Sequence, residues 1–312
     1  MINQPNTQES TPYVDMYKNL YHFVKTALAG KIDSQTIKEQ INEIIYAFLN
    51  DPYNPLLLYS YTTSKDNYLG IHITNDIILA IGFGVSLNLS ETNLLDLGIC
   101  AFCHDFGMVE YTPLFQNNKK LSDYETQLIQ KHSLKSSQIF KDIFSDDVIA
   151  GIEDVHENVD GTGYPKGKTG SEISFLAKIL SICDVYEALT HPRYARERVI
   201  PYEAMKLIIQ QKEKIFDTHV VKRFLAFMSI FPIGSLVSLN TGEIGMVTAS
   251  NYGYPTRCVV KIILNANQKV EGSKKMIDLL QDTMVYVSHA LHLKEESEIL
   301  NILKPRGDIH VE

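Results

Sequence analysis

No tryptophan occurs among the 312 residues, and only four cysteines do. Four thiols in a chain of this length make no disulfide framework, so a reducing compartment, the cytoplasm, is expected. Basic side chains are in deficit as well: 29 lysines and arginines face 37 aspartates and glutamates, for a net charge of −8. That balance argues against a nucleic-acid polymer as partner, although a small anion needs only a local cluster of donors. Long apolar runs are also missing, because Ile77–Leu89 and Leu94–Phe102 are short or broken by Asn and Asp. The polar start, Met1–Pro12, has neither a basic cluster nor an apolar stretch. No secretory leader and no membrane attachment are therefore expected. What is present is ample core material: 45 % hydrophobic against 21 % charged residues excludes general disorder.

Helical periodicity dominates up to about residue 230. Tyr13–Leu28 has apolar residues at helical spacing and stops at Ala29-Gly30, and Asp33 or Ser34 caps a second run to Leu49. Polar residues 62–67 mark a boundary, after which buried-type helices are predicted at about 69–88, 91–106, 122–141, 145–157, 173–190, 201–213 and 217–230. Ser122-Asp123-Tyr124-Glu125 has capping-box spacing, and the glycine-rich segment Asn158–Ser171 must be an ordered loop. After Phe231-Pro232 the period shortens, and strands are predicted at Ser235–Asn240, Glu243–Ser250, Cys258–Asn265 and Met284–Val287, with a last helix near Ala290–Leu303. The expected protein is mostly α: an N-terminal helical region at 1–65, a main helical domain at 66–230, and a small β-rich segment with a terminal helix at 231–312.

Five elements put a metal-type side chain beside strongly apolar sequence. They carry His72, the pair His104-Asp105, His132 in the middle of a predicted helix, His156, and Asp184. Imidazole and carboxylate suit Fe, Mn, Zn or Ni. Adjacent helical residues point about 100° apart, so Asp105 can bridge two ions while His104 binds one. Cys100-Ala101-Phe102-Cys103-His104 spells a haem-attachment pattern, but that chemistry requires export and His104 fits the metal set better. Cys100, Cys103 and Cys183 read as buried thiols on apolar helices.

The order of these motifs resembles the HD-GYP family, a branch of the metal-dependent HD phosphohydrolases whose typical members hydrolyse cyclic di-GMP. The likeness runs from about Asp66 to Phe227. Its most specific part is His156-Glu157-Asn158-Val159-Asp160-Gly161-Thr162-Gly163-Tyr164-Pro165, supported by Asp184–Thr190 and Phe231–Ser235. The resemblance implies an HD-type helical bundle. It also implies two divalent transition-metal ions, Fe favoured with Mn or Zn as alternatives. His72, His104, Asp105 and Asp184 would hold one ion, and Asp105 with His132 and His156 the other. Two cations roughly 3.5–4 Å apart deprotonate a shared water and neutralise a phosphodiester, the bridging-hydroxide chemistry in which His104 and Asp105 would be catalytic. Gly163, Tyr164, Pro165 and Lys166 would shape the dinucleotide site, with Tyr164 stacking on a guanine, and Arg193 and Arg196 would meet its phosphates.

The sequence departs from the family at specific places. Val155 stands where members carry a further histidine, and Met108 where they carry a lysine near the scissile phosphate. Tyr68 occupies the position of a glutamate that holds a third ion in some members, so two ions are the expected ceiling. A lost charge-assisted contact of roughly 1.5–3 kcal/mol slows turnover about 10- to 100-fold. The first expectation is thus a cyclic di-GMP phosphodiesterase. The alternatives are a degenerate member that binds cyclic di-GMP or a partner as a sensor, and an enzyme of another cyclic dinucleotide or phosphoester. A homodimer or a signalling-protein partner is compatible with either.

Overall fold

A computed structural model describes residues 12–30, 33–51, 68–115, 120–192, 197–251, 253–272 and 275–303. The predicted boundary at 62–67 and the paired Arg193 and Arg196 lie outside these residues. Helix α1 (Pro12–Leu28) ends at Gly30, whose φ of +95° suits a residue without a Cβ. Helix α2 (Ser34–Asn50) is capped by Asp33, whose carboxylate accepts from the Gln35 and Thr36 amides. Its buried stripe is Ile37, Ile41, Ile44, Ile45 and Phe48. Two glycines of the main domain let that stripe in: a Cβ at Gly98 would lie 2.4 Å from Ile41, and one at Gly82 2.7 Å from Phe48. Each such side chain contributes roughly 1.5–3 kcal/mol by leaving water, so the N-terminal hairpin shares one continuous core with the helices that follow.

Helix α3 (Tyr68–Ser86) runs through the middle of that core, with both its polar and apolar side chains buried. By length and composition it could cross a membrane, yet 83 % of its apolar window is covered by the protein itself, as in the central helix of a bundle. Helix α4 (Glu91–Cys103), capped by Ser90, packs on it and is followed by a 3-10 turn at Phe106–Tyr111 and the short α5 (Thr112–Phe115). The helix expected to continue to 106 stops at Cys103 because Ser136 takes over its backbone: the Ser136 hydroxyl donates to the His104 carbonyl at 2.6 Å and accepts from the Gly107 amide at 2.8 Å.

The single helix expected at 122–141 is two, α6 (Asp123–Ile129), which carries the expected capping box, and α7 (His132–Phe140). His132 is thus the first residue of a helix, where the sequence placed it mid-helix. The break has a local and a distant cause: His132 Nδ1 donates to the Ile129 carbonyl at 2.7 Å, and the Gly107 turn crosses so closely that a Cβ there would sit 2.2 Å from the His132 carbonyl oxygen. Helices α8 (Asp146–Asp154), α9 (Phe175–Thr190), α10 (Pro201–Gln210) and α11 (Thr218–Met228) complete the bundle.

Beyond it, β1 (Leu236–Leu239), β2 (Ile244–Ala249), β3 (Val259–Leu264), β4 (Met276–Asp278) and β5 (Val287–Ala290) form one antiparallel sheet in the order β4-β3-β2-β1-β5, followed by α12 (Leu293–Leu303). Gly242, at φ +83°, turns the β1–β2 hairpin where Thr241-Gly242 was expected to. The strand expected at Met284–Val287 is displaced to Val287–Ala290, and β4 was not foreseen. The backbone before β5 is satisfied differently: Arg257 Nη1 donates to the carbonyls of Leu279 and Val285 at 3.3 and 2.9 Å, leaving Met284 exposed. The sheet joins the bundle through hydrogen bonds at Ser229, Ile230 and Ser250, and α12 through a partly buried Arg198–Glu296 pair.

Candidate metal centre

Four separate helix ends and one mid-helix face deliver the expected side chains to one place. His72 comes from the first turns of α3, His104 and Asp105 from the end of α4, and His132 from the start of α7. His156 lies just past α8, and Asp184 on α9. Asp105 is central: Oδ2 lies 3.4 Å from His72 Nε2 and Oδ1 3.1 Å from His132 Nε2. Asp184 Oδ1 lies 3.3 Å from His72 Nε2, and its Oδ2 3.7 Å from His156 Nδ1. His132 and His156 face each other with Nε2 atoms 2.8 Å apart. Two ligand groups result: His72, Asp76, His104 and Asp184, all buried, and Asp105, His132 and His156, of which His156 is partly open.

Asp76 was not singled out from the sequence. It lies one turn after His72 on the same face of α3, and an aspartate four residues after a histidine in an apolar helix was the available signal. Two further residues act behind the ligands. Glu187 accepts from His72 Nδ1 and, through its other oxygen, from Asn75 Nδ2 at 3.0 Å. The Tyr17 hydroxyl of α1 then donates to Asn75 Oδ1 at 3.1 Å, linking the N-terminal hairpin to the centre. Nδ1 of His104 donates to the Ala101 carbonyl at 2.9 Å, as that of His132 does to Ile129. Three imidazoles thus have an outward Nδ1 held by an acceptor and an Nε2 directed inward, the orientation in which a metal-ligating histidine keeps its proton outside and gives its lone pair to the ion.

The charges of the centre are suited to a cation. Asp76, Asp105, Asp184 and Glu187 are all buried, and uncompensated buried carboxylates are costly. Both oxygens of Asp76 and the Nε2 of His104 are buried without a hydrogen-bond partner. Burial, with Asp184, Glu187 and Asp105 nearby, pushes the Asp76 carboxyl well above the usual range, despite His72. Burial opposes ionisation of Asp105 too, but His104, His132 and His72 outweigh it and hold that carboxyl well below the usual range. Burial and the neighbouring His132 bring His156 down to about 3, a neutral imidazole fit to ligate. Inward ring nitrogens and the partnerless Asp76 carboxyl, beside Asp105 and Asp184, are the donor set that divalent transition metals prefer, so the residues present fit the group.

The glycine-rich loop closes over this face. The Tyr164 ring stacks on His156 with centroids 4.9 Å apart and meets His132 edge-on at 6.3 Å. A Cβ at Gly163 would lie 2.2 Å from the Asn158 nitrogen and 2.5 Å from the His156 carbonyl oxygen, so only glycine lets the loop fold back on the ligand. Pro165 follows through a cis peptide bond. Buried Glu157 gathers the loop by accepting from the backbone amides of Lys166 and Lys168 at 2.6 and 2.9 Å. The Lys166 ammonium pairs with Glu153 at 2.6 Å, so it anchors the loop at its outer rim. The non-family residues are accommodated as hydrophobes: Val155 is fully buried in the core, Met108 packs against the core, and Tyr68 stacks on His72 at 5.4 Å.

Comparison with known proteins agrees with this geometry. The HD domain model matches residues 63–220, which contain every ligand above, and a model described as a KOW domain associated with HD domain matches residues 236–299. The chain is 30 % identical to the cyclic di-GMP phosphodiesterase PA4108 of Pseudomonas aeruginosa over 262 residues, 82 % of this chain and 62 % of that protein. It is 24 % identical to the cyclic di-GMP phosphodiesterase PdeB of Borreliella burgdorferi over 239 residues, 75 % of this chain and 63 % of that protein. The chain thus spans a little over three fifths of the length of these relatives. Among solved structures, Bd1817, an HDG"Y"P protein from Bdellovibrio bacteriovorus, superposes with a TM-score of 0.58 at 18 % identity, covering 70 % of this chain and 74 % of that one. With the ligand order from His72 to Asp184 on one side and the Gly163-Tyr164-Pro165 loop beside it, the chain belongs to the HD domain family, in its HD-GYP branch.

Proposed function

We propose that the protein is a metal-dependent phosphodiesterase that opens cyclic di-GMP. The observation that carries this reading is the convergence of the two ligand groups on Asp105 beneath the Tyr164 loop. The relatives named as cyclic di-GMP phosphodiesterases support the substrate. His72, His104, Asp105 and Asp184 would hold one divalent ion, and Asp105 with His132 and His156 a second, with Fe favoured over Mn or Zn. When bound, the pair of ions supplies an activated water and neutralises charge on the attacking and leaving oxygens of the diester. The chain's own residues set the geometry for that chemistry. Asp105 presents one oxygen to each group, and the outward Nδ1–H bonds of His72, His104 and His132 fix the direction of each Nε2. Tyr164 offers a half-buried ring face for a guanine, and Gly163 keeps the loop backbone close beneath it. Arg193 and Arg196 remain the candidates for the phosphates, while Lys166 would have to leave Glu153 to reach them.

The test is chromatography of cyclic di-GMP after incubation with metal-loaded protein, with a second cyclic dinucleotide run in parallel. Linear dinucleotide or GMP should form faster than in a chelator-stripped control, and not in Asp105→Ala. Fully loaded protein that leaves every cyclic dinucleotide intact would overturn the assignment.

A second reading is favoured by one observation: at Val155 and Met108 the chain has apolar packing where typical members place a ligand and a cation. In that reading the protein binds cyclic di-GMP without opening it and signals through a partner. Calorimetric binding of the dinucleotide, recovered intact from metal-loaded protein, distinguishes it.

A further inference from the structure

Asp76 is fully buried on α3, and neither of its carboxylate oxygens finds a hydrogen-bond donor. Its Oδ2 instead stands 3.3 Å from His72 Nε2 and 3.6 Å from His104 Nε2. The opposite ring nitrogens are held by Glu187 and by the Ala101 carbonyl, so both Nε2 atoms point at Asp76 and in their neutral form turn lone pairs toward it. Acceptors aimed at acceptors in a dry interior repel each other, and a buried acid with no partner is among the most costly groups a core can hold. A cation among them reverses the sign of every one of these interactions.

We propose that Asp76 is a protein ligand of the first ion, so that His72, Asp76, His104 and Asp184 form a closed, tight site while Asp105, His132 and His156 form an open, weaker one. This rests on the metal-dependent reading above only in needing the same centre. Two features set the asymmetry. The first group brings two carboxylates and two imidazoles, which balance a divalent charge without Asp105. The second brings one carboxylate and two imidazoles, and Val155 supplies nothing further because it lies in the core. Loading is then ordered: the first ion completes the fold around α3, α4 and α9, and the second comes and goes with the free metal concentration.

The experiment is a Mn(II) titration of chelator-stripped full-length protein, with bound metal counted by elemental analysis and free Mn(II) by electron paramagnetic resonance. Manganese stands at the weak end of the divalent affinity order, which keeps both steps measurable. Wild type should take up two ions in steps at least about 10-fold apart, and Asp76→Asn should weaken the tight step by at least about 10-fold. The weak step should change by no more than about twofold, since its ligands are elsewhere. Metal-free Asp76→Asn should also unfold at a higher temperature than metal-free wild type, because a buried carboxyl that finds no hydrogen-bond donor is replaced by a neutral amide. Its midpoint should rise less on adding Mn(II), and a purely structural aspartate would not give these opposite signs. Two equal steps in wild type, or an unchanged tight step in Asp76→Asn, would overturn the proposal, and the wild-type isotherm decides even where the variant does not fold. Asp76-dependent binding with no dinucleotide turnover sinks the phosphodiesterase reading alone. Turnover with Asp76-independent binding sinks this one alone.

Discussion

The two halves of the metal centre are built differently from the same residue types. The half around His72 and Asp184 lies between three long helices, its four ligands are buried, and Glu187 and Asn75 back it with further hydrogen bonds. The half around His132 and His156 sits at helix ends and beside a loop, has three ligands, and borders solvent at His156. Dry surroundings and an outer layer of partners make the first half rigid. The second half shares its surface with the Tyr164 loop and is therefore the half a substrate can reach. Asp105 is the residue that belongs to both.

Removing that shared residue should do the most damage. Asp105→Ala is expected to lower turnover by more than the roughly 10- to 100-fold that the loss of an outer partner costs, and to abolish the weaker class of bound metal. Initial rates with elemental analysis on one preparation check both. Next in size, Glu187→Gln replaces the acceptor of His72 Nδ1 by an amide and should weaken metal at the first half by roughly 10- to 100-fold, leaving the second half as it was. Equal weakening of both halves would show that they do not act separately.

Two changes should instead narrow the contrast. Val155→His offers the second half a fourth ligand and should tighten its metal about 10-fold, at a stability cost of about 1–3 kcal/mol for a polar ring in the core. A metal titration and a thermal melt read the two effects. Met108→Lys puts a cation where typical family members carry one and, on the phosphodiesterase reading, should raise turnover about 10-fold with metal content unchanged, and an unaltered rate would show that Met108 does not limit it. Smallest of all, Tyr17→Phe deletes the hydroxyl that holds Asn75 from α1. It should cost about 1 kcal/mol, or roughly 2–4 °C in the melting midpoint of a chain this size, with little change in metal binding.

Much of this was legible before any coordinates. The helix starts after Asp33 and Ser122 are side-chain caps, a signal local in sequence and local in space. His72, His104, Asp105, His132, His156 and Asp184 were identified in order and do converge. Misreadings arose where a distant group decides a local outcome. The break before His132 depends on a glycine turn 25 residues upstream pressing on its carbonyl. The displaced strand near Met284 depends on Arg257 satisfying its backbone from across the sheet. Asp76 belongs to no motif, and whether a lone aspartate in an apolar helix enters the centre depends on how that helix packs.

The amino-acid order by itself determined that the protein is a helical bundle with a β appendage and that histidine and aspartate chemistry lies at its helix ends, because periodicity, caps and residue type are properties of short segments. Only the tertiary structure decided which carboxylate faces which imidazole, that Asp76 joins the first group, and that Val155 is lost to the core. Those outcomes depend on how α3, α4 and α9 pack, and packing is settled by contacts between residues more than a hundred positions apart, such as His72 and Glu187.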